Sequence, residues 1–576
     1  MGFLNIFGIK DKPKAPWSKY YVNNEMKVEI PDGSMYSLIK EKAEDRNGWI
    51  AYSYYGHNVT YKEFIKQVDS ASRAFRSQGI RKGDVVTICM PNVPEALISV
   101  YALNKIGAVA SMIHPLSSEQ EIKNYLLNSK SVMLVMIDLC YEKVAGVIKE
   151  TDVYKTILVS AGSSMTIPMK LGYIFTKSYK IKKPYFKGEY LHWKDFIRKG
   201  MNYNGRVESE VDKNTPAVIL HSGGSTGTPK GIVLSNYNFN ALAAQVEVVF
   251  SKLGKNDKIL AIMPVFHGFG LGVSMHSVLF LGGTVDLIPQ FDAKHFDKLI
   301  KKNDPQAIVG VPTLFEALLN TNAKLDLSRL KYVVSGGDCL TEQMGEKINN
   351  YLKEHGSDCK VMQGYGLSEA VAAVAISGDA HNVPGSIGIP FPLCYFKICA
   401  PHTQDELPYG EIGEMCVCGP TVMMGYFNNE KETNDALQIH KDGNVWLHTG
   451  DMGYMTEDGV LFYQSRLKRM IVSSGYNVYP QQIENVIESH EAVLKCTVIG
   501  IPHKYKMQVA KAIIVLKNDY SDTIAIKKSI KELCEKNLAR YSLPYEYEFR
   551  KSLPKTLIGK VDFKKLSEEE NEKEGE

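Results

Sequence analysis

From about residue 35 to 160, apolar runs of strand length alternate with helical patterns. Val85-Val86-Thr87-Ile88-Cys89-Met90 reads as a buried strand, and Pro94-Glu95-Ala96 opens a helical run through Ala102 and Leu103. Alternation of this kind predicts parallel sheets covered by helices. The same rhythm returns from 215 to about 375, with Ala307-Ile308-Val309-Gly310-Val311 and Tyr332-Val333-Val334 as strands. No repeat of fixed period accompanies it. After about 380, glycines and short alternating runs predict β-structure, and the polar, charged stretch from Gln464 to Arg469 predicts a linker between two apolar runs. Beyond it the strand and helix patterns of a small α+β domain resume, and the acidic run Glu568 to Glu576 is expected to be disordered.

The predicted fold class is therefore α/β. A large N-terminal domain over 1–465 combines two α/β subdomains with a β-rich subdomain. A hinge over 466–470 leads to a small α+β domain over 471–565, and an acidic tail covers 566–576. Two stretches complicate the pattern. Residues 170–199 hold nine basic residues against Glu189 and Asp195, interleaved with Tyr173, Phe175, Tyr179, Tyr185, Phe186, Tyr190 and Trp193. This reads first as a solvated surface insertion and second as a contact with anionic lipid. Ile259 to Val285 carries no Asp, Glu, Lys or Arg, but its Pro264, two histidines and five glycines make a poor spanning helix. A strand, a site loop and a buried helix explain it better.

Composition adds bounds. A chain of 576 residues, 44% hydrophobic, is too long for one simple core, and a net charge of +4 demands no nucleic-acid or membrane partner. The ten cysteines include no CxxC pair and no nearby His/Cys spacing of the zinc type, so neither a disulfide framework nor a metal knot is expected. Cys416 and Cys418 are spaced to share one face of a strand. The N-terminal apolar run is too short for a signal peptide, and Ile6 stands where a myristoylation pattern wants Ser or Thr. A cytoplasmic protein, with room for peripheral contact at a membrane, is the expectation.

The sharpest chemical feature is His221-Ser222-Gly223-Gly224-Ser225-Thr226-Gly227-Thr228-Pro229-Lys230-Gly231, directly after the apolar run Ala217 to Leu220. Backbone N–H groups, hydroxyls and a terminal ammonium suit a polyphosphate. A Walker loop needs Gly-Lys followed by Ser or Thr, whereas Pro229 precedes this Lys and Gly231 follows it. Kinase-like and GTPase-like readings weaken accordingly.

Read with four further stretches, this loop resembles the adenylate-forming superfamily, in particular its acyl-CoA synthetase branch, over roughly residues 45 to 565. Those stretches are Gln363-Gly364-Tyr365-Gly366-Leu367-Ser368-Glu369, His448-Thr449-Gly450-Asp451, Arg466-Leu467-Lys468 leading to Gly475-Tyr476-Asn477-Val478-Tyr479-Pro480, and Leu553 to Lys560. The resemblance implies that Ser222, Gly223, Gly224, Ser225, Thr226, Gly227 and Lys230 bind phosphate. It implies that Tyr365, Gly364 and Gly366 with Gly336, Gly337 and Asp338 hold adenine, and that Ser368 bonds the α-phosphate. Glu369 would help hold Mg²⁺ that accompanies ATP, while Asp451 and Arg466 hold the ribose. Lys560 would bridge acyl carboxylate and α-phosphate during adenylation, where an ammonium offsets two approaching anions. His267 would sit beside the acyl carboxylate. Lys468 would be the hinge about which a mobile small domain rotates, and Gly475 would line the approach of the coenzyme A thiol.

Three departures stand out: Ser235-Asn236 after the phosphate loop, Met507-Gln508 in the small domain, and Val561-Asp562-Phe563 after Lys560. The last two bear on the CoA contacts rather than the nucleotide. The resemblance implies a carboxylic acid, ATP and coenzyme A as partners, with a medium- to long-chain fatty acid favoured by the apolar stretch Phe266 to Leu281. Aryl or other hydrophobic acids, a carrier-protein acceptor, and a non-catalytic nucleotide-binding relative stay open. No nucleic acid is expected, and the sequence leaves the oligomeric state undetermined.

Overall fold

The computed structural model describes residues 12–21, 27–176, 190–222, 230–321, 323–378, 381–473, 476–503, 505–556 and 561–575. Val85–Cys89 is buried at all five positions, as a strand covered on both faces must be. It lies inside an eight-stranded sheet, ordered Gly425–Tyr426, Lys230–Ser235, Pro216–Ser222, Val109–Met112, Val85–Cys89, Met133–Ile137, Lys155–Val159, Tyr190–His192. Its middle strands are parallel, and the Pro94–Lys105 helix, with proline in its first turn, makes one crossover. A second sheet, of nine strands, places Lys258–Ala261, Ala307–Gly310, Tyr332–Gly336 and Val361–Tyr365 side by side and parallel. A third, antiparallel sheet holds Tyr395–Cys399, Gly413–Cys418, Val445–Met455, Leu437–Ile439 and Leu461–Arg466. One apolar core joins parts of all three. Two separate apolar clusters lie between Ile471 and Leu566.

The stretch free of charged side chains is a strand, a loop and a buried helix, as its composition predicts, but the helix is of an unusual kind. Phe269–Ser277 is a π-helix that runs on into the α-helical turn Val278–Leu281. The hydroxyls of Ser274 and Ser277 donate to the carbonyls of Phe269 and Gly272, five residues back. Helices of this form are rare and concentrate at functional sites.

Three expectations need correction. Residues 190–199 are no surface insertion, while 177–189 lie outside the described residues: Tyr190–His192 is the last strand of the eight-stranded sheet, and Trp193–Gly200 packs Phe196 against Phe75. Gly200 is the point of closest approach, since a Cβ there would lie 2.5 Å from the Ala74 nitrogen. The linker starts later than its polarity suggests, because Gln464 to Arg466 finish a strand paired with Val445–Met455, and the turn is Leu467–Arg469. The acidic tail is helical over Phe563–Gly575, with Leu566 buried. Its acids have fixed cationic partners: Glu570 meets Lys511 at 2.6 Å and Glu569 meets Arg550 at 2.6 Å. A charge run with buried partners folds where a solvated one would not.

Candidate active site

Two parallel strands end side by side with Gly336 opposite Gly364; Tyr365 is the last residue of the second, and Gly337 and Asp338 follow the first. Gly337 has φ of +79°, a conformation that favours glycine. The Tyr365 hydroxyl donates to Asp451 Oδ2 at 2.6 Å. Arg466 Nε lies 2.9 Å from the other oxygen, and Asp451 and Arg466 are cross-strand partners. Asp451 is buried while Arg466 remains half exposed. Burial, then the Asp451 charge, keeps the Tyr365 phenol protonated, and Asp451 keeps the Arg466 guanidinium charged. The structure thus brings together Tyr365, Asp451 and Arg466, three residues far apart in sequence.

Asp451 is itself held from behind. Its N–H donates to Thr449 Oγ1 at 3.0 Å, and the Gly450 N–H donates to Glu414 Oε1 at 2.9 Å.

Ser368 and Glu369 lie on a short 3₁₀ turn. The Tyr426 hydroxyl donates to Glu369 Oε1 at 3.0 Å, and the Glu369 carbonyl accepts from Met423 N at 2.7 Å. Lys230 stands over the Tyr426 ring at 5.0 Å and forms an ion pair with Glu432. That pair, which depresses the Glu432 pKa, already occupies the ammonium expected from sequence to meet phosphate.

Immediately after Glu369 the chain takes a strained turn. Val371 has φ of +63° and ψ of −56°, and Ala372 N donates to Ala370 O at 2.8 Å, the geometry of a γ-turn of the rare sign. The turn is wedged in place. A Cβ on Gly268 would lie 1.5 Å from Val371 O, and one on Gly272 would lie 2.8 Å from Val371 Cγ1. His267 adjoins this contact, its Nδ1 accepting from Phe269 N at 3.2 Å. The Phe269 side chain in turn borders Gly336. The acid-side and nucleotide-side candidates therefore share one wall. Strain of about 1–3 kcal/mol at such a position persists only when its surroundings enforce it.

Gly223 to Gly227, Gly475 and Lys560 lie outside the described residues, as do the backbone of Pro229 and the side chain of Ser222. Lys468 lies in the Leu467–Arg469 turn. Arg469 beside it stacks on Phe563 at 3.6 Å and donates to Glu484 at 2.6 Å, both in the small lobe. Gln482 donates to Gln464 at 3.0 Å across the two lobes.

Tyr426, Glu432 and Glu414 were not singled out from sequence. Glu414 stands in a strand quoted only for its cysteines, and Tyr426 and Glu432 reach the site through pairings that sequence spacing does not encode. Asn236, at one departure, is structural: its Oδ1 accepts from Met35 N and Asn104 Nδ2 at 3.0 and 2.7 Å. Ser235 before it caps the Asn236–Val249 helix.

Residues 39–427 match the model of the AMP-binding enzyme family, and residues 482–560 match that of the AMP-binding enzyme C-terminal domain. The chain is 31% identical over 565 residues to a long-chain-fatty-acid–CoA ligase of Bacillus subtilis (strain 168), covering 97% of this chain and 99% of that one. It is 31% identical over 521 residues to a ligase of the same name from Yersinia pestis, covering 88% and 90%. Among solved structures, the anthranilate CoA ligase AuaEII in complex with anthranoyl-AMP superimposes with a TM-score of 0.81 at 22% identity, covering 95% of this chain and 99% of that one. ATP-bound MatB from Rhodopseudomonas palustris gives 0.80 at 21%, covering 93% and 98%.

Proposed function

The chain belongs to the AMP-binding enzyme family, and from that premise we propose that it joins a medium- to long-chain fatty acid to coenzyme A through an acyl-adenylate. It is an acid–thiol ligase of the AMP-forming acyl-CoA synthetase type. The observation that carries the nucleotide half is the meeting of Tyr365, Asp451 and Arg466 beside Glu369. A buried carboxylate whose two oxygens are already oriented by a phenol and a guanidinium is prepared to accept both hydroxyls of a ribose. The Tyr365 ring supplies a face for adenine where glycines at 336 and 337 leave the opposite side open.

Glu369 fits Mg²⁺ as a hard, anionic oxygen donor held by Tyr426, with the Ser368 hydroxyl alongside. The ion would neutralise polyphosphate charge there. Lys230 exchanges Glu432 for phosphate when ATP enters, and Glu432 and Tyr426 thereby act as its docking post. Ser222 and Gly223 to Gly227 are read as the rest of the phosphate cradle. Lys560 is read as the cation between carboxylate and α-phosphate, and His267 as the group beside the acid. For the thiol step, rotation at Lys468 withdraws Lys560 and brings Gly475 toward the acyl group. The domain limits 1–465, 466–470 and 471–565 follow from that division, with the small lobe extended through its terminal helix.

A fatty acyl chain is supported by the relatives' names and by the buried apolar wall from Val265 through the π-helix to Leu281. No described helix is long and apolar enough to cross a membrane. The Ile167–Thr176 helix nevertheless exposes Ile167 at 77% and Phe175 at 75%, with Met169 and Leu171 between them, and a lysine-rich segment follows in sequence. We read this helix as a peripheral contact with anionic lipid. Flotation with anionic vesicles should fall several-fold in a Phe175→Ser chain, and equal recovery of both chains would reject the contact.

The deciding experiment measures pyrophosphate release from ATP and Mg²⁺ over fatty acids of rising length, with aromatic and steroid acids as comparators, each with and without CoA. Turnover dependent on both acid and CoA, peaking on a fatty acid and lost in Lys560→Ala, supports the reading. Peak turnover on an aromatic or steroid acid refutes the fatty acid. Adenylation that CoA does not relieve refutes the acceptor.

A further inference from the structure

Behind the ribose acid, the antiparallel sheet gathers soft and hard donor groups that sequence spacing keeps apart. Cys416 faces His448 across one strand pair and Lys397 across the other, while Cys399 faces Glu414. Partners of this kind project from one face of a sheet. The result is a compact trio: Glu414 Oε2 is 2.9 Å from His448 Nδ1, Cys416 Sγ is 3.6 Å from the same nitrogen, and all three atoms lie within 4.8 Å of one another. Cys399, the cross-strand partner of Glu414, is the nearest candidate for a fourth donor. All four residues are sealed from solvent: Glu414 is 4% exposed, Cys399 and Cys416 are 0%, and the His448 side chain is 7%.

The distances can be compared with a known coordination shape. Zinc–sulfur bonds of about 2.3 Å and zinc–nitrogen or zinc–oxygen bonds of about 2.0–2.1 Å at tetrahedral angles separate S and N by about 3.5 Å and N and O by about 3.3 Å. The observed 3.6 Å matches the first, and the second requires the hydrogen-bonded Glu414 and His448 to part by about 0.4 Å. The other side of the His448 ring is also arranged as such a site requires. Its Nε2 is 2.9 Å from Nε2 of buried His440, whose Nδ1 finds no hydrogen-bond partner among the described residues. Metal-bound imidazoles commonly direct the second nitrogen at an outer partner that fixes the tautomer. Lys397 supplies the compensating positive charge, which acts on both thiols.

We propose that Glu414, Cys416 and His448, with Cys399 in fourth place, bind one divalent transition-metal ion of the zinc class. On binding, the thiols of Cys416 and Cys399 release their two protons to solvent. His448 turns its Nδ1 lone pair to the ion and its Nε2–H toward His440, so both imidazoles change tautomer and stay neutral. Thiolate, imidazole and carboxylate together select zinc-like ions over Mg²⁺. The other Glu414 oxygen holds Gly450 N, so the ion would brace the strand one residue before Asp451.

The test is titration of the full chain, reduced and metal-free, with Co²⁺. One equivalent should produce the intense visible bands of tetrahedral cobalt together with a sulfur-to-metal charge-transfer band. Zn²⁺ should then bleach both. The charge-transfer band should be lost or strongly weakened in Cys416→Ser and unchanged in Cys359→Ser. No tetrahedral spectrum, or the full spectrum surviving in folded Cys416→Ser, overturns the site. Should that variant not fold, X-ray absorption of the zinc-loaded parent chain decides instead: sulfur together with nitrogen or oxygen in the first shell supports the site, and a shell of nitrogen and oxygen alone overturns it.

Discussion

Gly366→Ala probes how tightly the two segments that frame the proposed nucleotide site cross. An ideal Cβ on residue 366 would lie 1.3 Å from Ala372 O, 2.3 Å from Ala372 C and 2.8 Å from Ala373 Cα. To restore an ordinary separation of about 3.5 Å, one backbone must retreat by about 2 Å. Neither is free to do so locally. Ala372 closes the γ-turn through its bond to Ala370 O, and Val374 N is tied to Tyr365 O at 3.0 Å. The displacement therefore passes to Glu369 on one side or Tyr365 on the other. A shift of even 1 Å in a positioning group costs about 10²-fold, equivalent to roughly 2.7 kcal/mol of barrier. Overpacking should lower stability by a further ~1–3 kcal/mol. Acid-dependent pyrophosphate release by Gly366→Ala should thus fall about 100-fold in kcat/KM for ATP, in a protein whose melting remains cooperative. Activity within about threefold of the parent would refute the argument that this crossing sets the site.

Asp451→Asn removes the charge that Tyr365 and Arg466 orient, and KM for ATP should rise about 10- to 100-fold, from the ~1.5–3 kcal/mol of a charged hydrogen bond; an unchanged KM would take Asp451 out of ribose binding. At Val371, glycine relieves the positive-φ strain whereas alanine only removes buried apolar surface. Val371→Gly should therefore melt no lower than Val371→Ala, the reverse of the usual ranking, and a clearly less stable glycine variant would show the turn to be unstrained. His276 is fully buried and His221 partly so, and burial lowers each pKa to about 3 from 6.5. Their folded forms stay neutral while the unfolded chain takes up protons, so stability is intact above the unfolded pKa and is lost as pH falls below it. By about pH 5 the buried His276 should cost about 2 kcal/mol, and His276→Asn should lessen the acid-induced fall in melting temperature. An equal fall in both proteins would contradict that assignment.

How much of this was legible in sequence depends on the distance over which each feature is fixed. Val85–Cys89, the Pro94 helix and the strands ending at Gly310 and Gly336 are local patterns of apolar run and breaker, and they stand where the pattern places them. Tyr365, Asp451 and Arg466, which the structure brings into contact, could each be singled out because it sits in a short stretch whose resemblance is specific. What could not be read is pairing. Cys416 and His448 are 32 residues apart and become neighbours only through the register of two strands. Lys230 and Glu432 are separated by 202 residues. The tail misled because charge density alone cannot reveal that Lys511 and Arg550 await it. The π-helix misled more subtly: glycine, serine and histidine in an apolar stretch give no signal for a wider helical turn.

The terminal helix also sets how this small lobe could be exchanged with that of a relative. The family match to the lobe ends at residue 560, three residues before the helix begins. Yet Leu566 belongs to the same apolar cluster as Ile499, Ile501, Val509, Ile513 and Val515. Glu570, moreover, stands against a lysine whose side chain is only 7% exposed. A graft cut at the shared boundary would carry the lobe's central hairpin without its cover, exposing an apolar face and leaving Lys511 with fewer acids to offset its buried charge. Chimeras that move this lobe between relatives must therefore transplant the chain through Gly575, and lobes from relatives without such a helix would need their own closing residues at Val509 and Lys511.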